Sequence, residues 1–84
     1  MSAYNGYTNW ETWQILLWAS NEEDLYEQTT TFVGWAADLA GFPKKCATFF
    51  RAMFPMGTPD MDSEQDLDNV NWQEIAKNLE EWND

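Results

Sequence analysis

The side chains best suited to chemistry in this sequence are carboxylates. Asp60, Asp62, Glu64, Asp66 and Asp68 alternate with other residues, at the spacing of an oxygen-ligand loop for calcium. A loop of that kind needs Gly at its sixth position for the sharp turn and Glu at its twelfth for bidentate ligation. Here those positions hold Gln65 and Asn71, so the pattern fails where the geometry is strictest and reads as a solvated acidic loop. Zinc has no set of ligands to draw on, because the chain has no histidine and one cysteine. General acid–base catalysis lacks its usual imidazole, and nothing in the sequence places two carboxylates in an apolar pocket. Cys46 follows Lys44 and Lys45 one turn into an expected helix, which lowers a thiol pKa a little. The commoner role of a lone cysteine is that of a small buried hydrophobe. No Gly-rich phosphate loop occurs. The sequence therefore predicts no enzyme, no cofactor and no metal.

The carboxylates remain as a surface. Fifteen acids face four bases, for a net charge of −11. Such a charge opposes direct binding to DNA, RNA or an anionic membrane, and an attractive partner is basic. The signs are segregated: residues 1–42 hold acids and no base, residues 43–58 hold Lys44, Lys45 and Arg51 and no acid, and residues 59–84 hold acids and Lys77. An ordinary solvated helix interleaves both signs. On the expected second helix, Glu22, Glu23, Glu27 and Asp38 share the solvent side, with spacings of four and eleven residues keeping Glu23, Glu27 and Asp38 on one face. The run Asp60, Asp62, Glu64, Asp66 and Asp68 adds a second cluster, and Glu74, Glu80 and Glu81 a third. A rigid domain coated this way can occupy a basic protein surface in place of a nucleic acid. Solubility alone is the plainer account of the same charge.

The elements that must carry these groups are helical. Asn5–Gly6 is a turn dipeptide. Thr8 and Glu11 then form a T-x-x-E capping box, which starts a first helix over about Asn9 to Ala19. Its apolar stripe is Trp10, Trp13 and Leu17 with Leu16 and Trp18 beside it, and it is expected to be the central core element. Ser20 and Glu23 make a second capping box. The second helix follows to about Ala40, with Leu25, Tyr26, Thr29, Phe32, Val33, Ala36, Leu39 and Ala40 in helical period. Gly34 weakens it or admits a ring of the first helix, and Gly41 ends it. Pro43 opens a third helix over Lys44 to Phe54, with Cys46, Phe49, Phe50 and Met53 as its apolar side. A loop of about a dozen residues leads to Asn71, which caps a fourth helix over Trp72 to Trp82. Val70 and Ile75 staple its start, and Ile75, Ala76, Leu79 and Trp82 face inward. Tyr4 and Tyr7 are available to pack from the lead-in.

The run NGYTNWETW, with an apolar helix and the acidic Asn21–Asp24 break after it, resembles a family of small proteins encoded on phages, plasmids and similar mobile elements. Asp66–Leu67, Val70, Trp72 and Glu74–Ala76 are similar to that family's closing helix. The resemblance covers roughly residues 4–27 and 66–82 and leaves Phe42–Lys45 unmatched. It implies a genomic setting and no mechanism, and no site residue comes with it.

The expected fold is all-α, one domain of 84 residues built as a compact bundle of about four helices. The fourteen aromatic side chains (six Trp, five Phe, three Tyr) supply the core a short chain needs without disulfides. One cysteine fits a reduced, cytoplasmic setting, and there is no apolar run near the ~18 residues of a membrane span and no basic-then-apolar leader. The expected function is that of an inhibitor from a mobile element. It would block the basic nucleic-acid surface of a CRISPR effector or restriction complex subunit, with Glu22, Glu23, Glu27, Asp38 and the Asp60–Asp68 acids as contacts and Phe54 or Met56 as an apolar anchor at the rim. The alternative is an assembly module that dimerises, or holds a partner helix, through an aromatic face, its acids serving solubility. Either form is a monomer or a homodimer.

Overall fold

Two helix starts, far apart in sequence, are hydrogen-bonded to each other. The computed structural model describes residues 6–82. Four α-helices run Trp10–Asn21 (α1), Glu23–Ala36 (α2), Phe42–Met53 (α3) and Trp72–Trp82 (α4), with a 3-10 helix over Glu64–Asn69 before α4. No strand occurs among the described residues. The radius of gyration is 11.9 Å, matching the ~12 Å of a compact chain of this length. The expected all-α bundle is therefore present.

α1 starts one residue later than the T-x-x-E reading places it. Asn9, not Thr8, is the cap: its Oδ1 accepts from the Thr12 backbone N–H at 2.9 Å and from Thr12 Oγ1 at 2.6 Å. Thr8 is drawn away by the far end of the chain. Its backbone N–H donates to Glu74 Oε1 at 2.9 Å, and its hydroxyl accepts from Asn71 Nδ2 at 3.1 Å. Asn71 caps α4 as expected, its Oδ1 accepting from the Glu74 N–H at 3.1 Å. The Asn71 N–H donates to Thr12 Oγ1 at 2.9 Å, and Asn9 Nδ2 donates to the Asn69 carbonyl at 2.7 Å. Each helix start thus supplies hydrogen-bond partners to the other, and the Asn71 cap N–H finds its acceptor on α1.

The second expected capping box is also absent. Ser20 stays inside α1, its hydroxyl donating to the Leu16 carbonyl at 2.6 Å. Glu22 precedes α2 without a side-chain cap. α2 stops at Ala36, a turn short of Ala40, and the chain turns through residues 37–41 with Gly41 at φ 75° as the N-cap of α3. Four more helical residues would carry the chain ~6 Å onward. Stopping early lets Phe42 enter the core and stack on Phe32, centroids 5.7 Å apart. Leu39 and Ala40, expected inward, are exposed as a result.

The core is Ile15, Leu16 and Ala19 of α1, Phe32, Val33 and Ala36 of α2, Cys46 and Phe50 of α3, and Ile75, Ala76 and Leu79 of α4, with Leu67 and Val70 from the approach to α4. α4 packs against all three other α-helices, so it shares the central place expected of α1. The tryptophans of α1 are not its buried stripe. Thr12, Ile15, Leu16 and Ala19 are, at i, i+3, i+4 and i+7. Trp10, Trp13 and Trp18 are half-buried, in keeping with large rings whose N–H groups need partners. Trp18 finds one in Gln14 Oε1 at 3.0 Å, and Thr58 donates to the same buried oxygen at 2.7 Å. Thr58 belongs to the loop after α3, where Gly57 sits at φ 86° and a Cβ would come within 3.0 Å of the Ser63 carbonyl. Only glycine fits that turn.

Candidate functional site

The predicted contact acids fall into three settings. Glu22, Glu23 and Glu27 are exposed at the start of α2, where negative charge suits the helix dipole. Asp38 is exposed too, but it lies in the turn beyond Ala36. The eleven-residue helical spacing to Glu27 therefore does not apply, and the shared face expected of Glu23, Glu27 and Asp38 is not set by one helix. The physical reason is the early stop of α2 that brings Phe42 into the core.

The 60–68 run is split. Asp60 and Asp62 lie in the turn before the 3-10 helix, and Glu64, Asp66 and Asp68 lie within it. Asp66 accepts the Asp62 N–H at 3.0 Å, which fixes that turn. Asp68 accepts Arg51 Nη2 at 2.9 Å, the one ion pair among the described residues. Ser63 caps the 3-10 helix by accepting from the Gln65 N–H at 3.2 Å. No group of three acids or thiols converges as metal ligands among the described residues. Glu22, Glu23, Glu27, Asp38, Asp60, Asp62 and Glu64 have no cation beside them in that same span.

Cys46 is fully buried, and burial first, with the charge of Glu80 second, pushes its thiol up to about 12. A thiol held protonated is a packing group and not a nucleophile at neutral pH. Phe54, one of the two expected anchors, is buried against Phe50 with centroids 6.3 Å apart. Met56, the other, is 71% exposed.

Trp35 lies outside the apolar period that the sequence predicts for α2. It is 60% exposed on α2, edge-on to Phe32 at 5.5 Å, and Phe32 in turn stacks flat on Phe49 of α3 at 4.2 Å. Two hollows share these three rings. One, of about 580 Å³, is lined also by Gly41, Lys44, Lys45 and Thr48. The other, of about 450 Å³, is lined also by Glu27, Gln28 and Thr31. The signal in the sequence was a tryptophan off the Phe32–Val33–Ala36 stripe, at a position where a surface helix carries a polar residue. No helix among the described residues is long and apolar enough to cross a membrane.

Residues 1–84 match one family model, described as a family of unknown function (DUF7249). No curated protein and no solved structure matches the chain.

Proposed function

The chain belongs to the DUF7249 family, and for this member we propose a non-enzymatic inhibitor role, in which its carboxylates compete with nucleic acid for a basic protein surface. The observation that supports this reading is the lack of charge pairing. Of the nine acids in question, only Asp68 has a cation beside it among the described residues, Asp66 is held by the Asp62 N–H, and the other seven leave their charge available to a partner. Glu22, Glu23, Glu27, Asp38, Asp60, Asp62 and Glu64 are the contacts, with Met56 as an exposed apolar group nearby in sequence. Carboxylates on a stiff helical scaffold present charge with little ordering cost, and charge complementarity sets the on-rate and makes binding weaken with salt. The target is the DNA- or RNA-binding subunit of a host defence complex, of the CRISPR effector or restriction class. The mechanism is steric occupation of the nucleic-acid channel, and it uses no cofactor.

The test is capture by tagged protein from lysate of a host carrying both systems, at low and moderate salt. The expected result is one nucleic-acid-binding complex, retained at both salts and released by added duplex DNA. Charge-neutral Gln and Asn replacements at Glu22, Glu23, Asp60 and Asp62 are expected to abolish the capture. Recovery of no such complex, or of one that DNA does not release, overturns the proposal.

A further inference from the structure

We infer that the Phe32–Trp35–Phe49 surface is the contact between two copies of this chain, paired about a two-fold axis. Trp35 stands on α2 with more than half its surface in water, and the two hollows that share its ring carry opposite charge. Lys44 and Lys45 line one side. Glu27 lines the other. The patch is therefore a dipole with an aromatic centre. A two-fold axis lying in the contact plane, across the line from the lysines to Glu27, brings the positive side of each copy over the negative side of the other. It also places each Trp35 against the neighbour's hollow. This is the self-complementarity that an isologous contact requires.

The same charges argue against other occupants. A basic partner meets Lys44 and Lys45, which are two of the chain's four basic residues. An acidic partner meets Glu27 on the other side of the ring. Only a partner with both signs in the same arrangement answers both, and a second copy has it by construction. Gly34 adds a second observation. It is exposed next to Trp35, seven residues on from Glu27 along the same helical stripe, and a Cβ placed there meets nothing within 4 Å among the described residues. A mid-helix glycine is less stable than alanine, and no neighbour among the described residues requires it. A bare backbone at that point lets a second copy approach closely.

The two copies repel at long range, because each carries −11. Added salt screens that long-range repulsion more than the close Lys–Glu contacts and leaves apolar burial in place, so association strengthens from low to moderate salt. That sign is opposite to the sign expected for inhibitor binding to a basic surface. The dimer does not depend on the inhibitor reading and is measured on the protein alone, so the two fail separately.

The experiment is sedimentation equilibrium of the full chain from about 5 to about 500 µM, a range that brackets a micromolar dissociation constant, at low and moderate salt. The wild type is expected to dimerise within that range, more tightly at the higher salt. Trp35→Ala is expected to weaken the dimer at least tenfold while circular dichroism shows the helices kept. Glu27→Lys alone is expected to weaken it although the net charge falls, and Lys44→Glu with Lys45→Glu is expected to weaken it as well. Mixing these two variants restores a heterodimer, because each lysine side then meets a glutamate side. A chain that stays monomeric to the top of the range overturns the inference. So does a dimer indifferent to Trp35→Ala, or a mixture that fails to pair.

Discussion

The hydroxyl of Thr12 accepts the backbone N–H of Asn71 at 2.9 Å, tying the first turn of α1 to the cap of α4 across 59 residues. The same hydroxyl donates to Asn9 Oδ1 at 2.6 Å. One fully buried threonine therefore holds both helix caps in register.

Thr12→Val keeps the shape and removes both bonds. The Asn71 N–H then lacks its acceptor in a partly buried site, and stability is expected to fall by about 1–3 kcal/mol. Asn9→Ala removes the cap itself, at about 1 kcal/mol. Because the two residues share a bond, the double variant should lose less than the sum, with a coupling of at least about 0.5 kcal/mol in urea unfolding. Additive losses would show that the caps act separately.

Thr29 offers the reverse case. Its hydroxyl is fully buried on α2 and has no hydrogen-bond partner among the described residues. Thr29→Val is close in shape and removes an unsatisfied polar group, so it is expected to stabilise by about 1 kcal/mol. In a domain of this size that is a rise in Tm of roughly 4–8 °C. A lower Tm would mean that the hydroxyl has a partner after all.

Cys46 links the core to pH. Its thiol is raised from 9.0 to about 12 in the folded chain. The unfolded thiol ionises first, so its contribution is intact below pH 9 and is lost as pH rises from 9 towards 12. Over that window the wild type should lose stability faster than Cys46→Ala. At neutral pH the native thiol should react with a maleimide only on unfolding. Fast labelling of the folded protein would contradict the burial.

The charge of the surface makes a fourth prediction. With one exposed ion pair among the described residues and a net charge of −11, the folded chain repels itself. The Debye length falls from ~30 Å at 0.01 M salt to ~8 Å at 0.15 M, across a body whose radius of gyration is 11.9 Å. Thermal stability should rise over that range, and Arg51→Ala should change it by no more than about 0.5–1 kcal/mol. A fall with salt would mean that attractive pairs hold the surface together.

What the sequence determined by itself was local. Asn71 with Glu74 three residues on, and Val70 and Ile75 flanking the turn, placed α4 at Trp72–Trp82, and the structure puts it there with both apolar residues buried. Pro43 in the first turn of α3, the absence of strand alternation and the burial of Cys46 and Phe50 were legible for the same reason: helix caps and apolar period act over a few residues. The remaining features depended on groups far along the chain. Thr8 and Asn9 are both good caps, and the choice between them was made by Asn71 and Glu74. The end of α2, and with it the place of Asp38, was decided by the need to seat Phe42 on Phe32. The exposure of Trp35 followed from the face that α2 turned towards Phe49 of α3, and the burial of Phe54 from its packing on Phe50 where α3 meets α4. Local propensity selects helices, but long-range packing sets their ends and decides which aromatic rings are left in water.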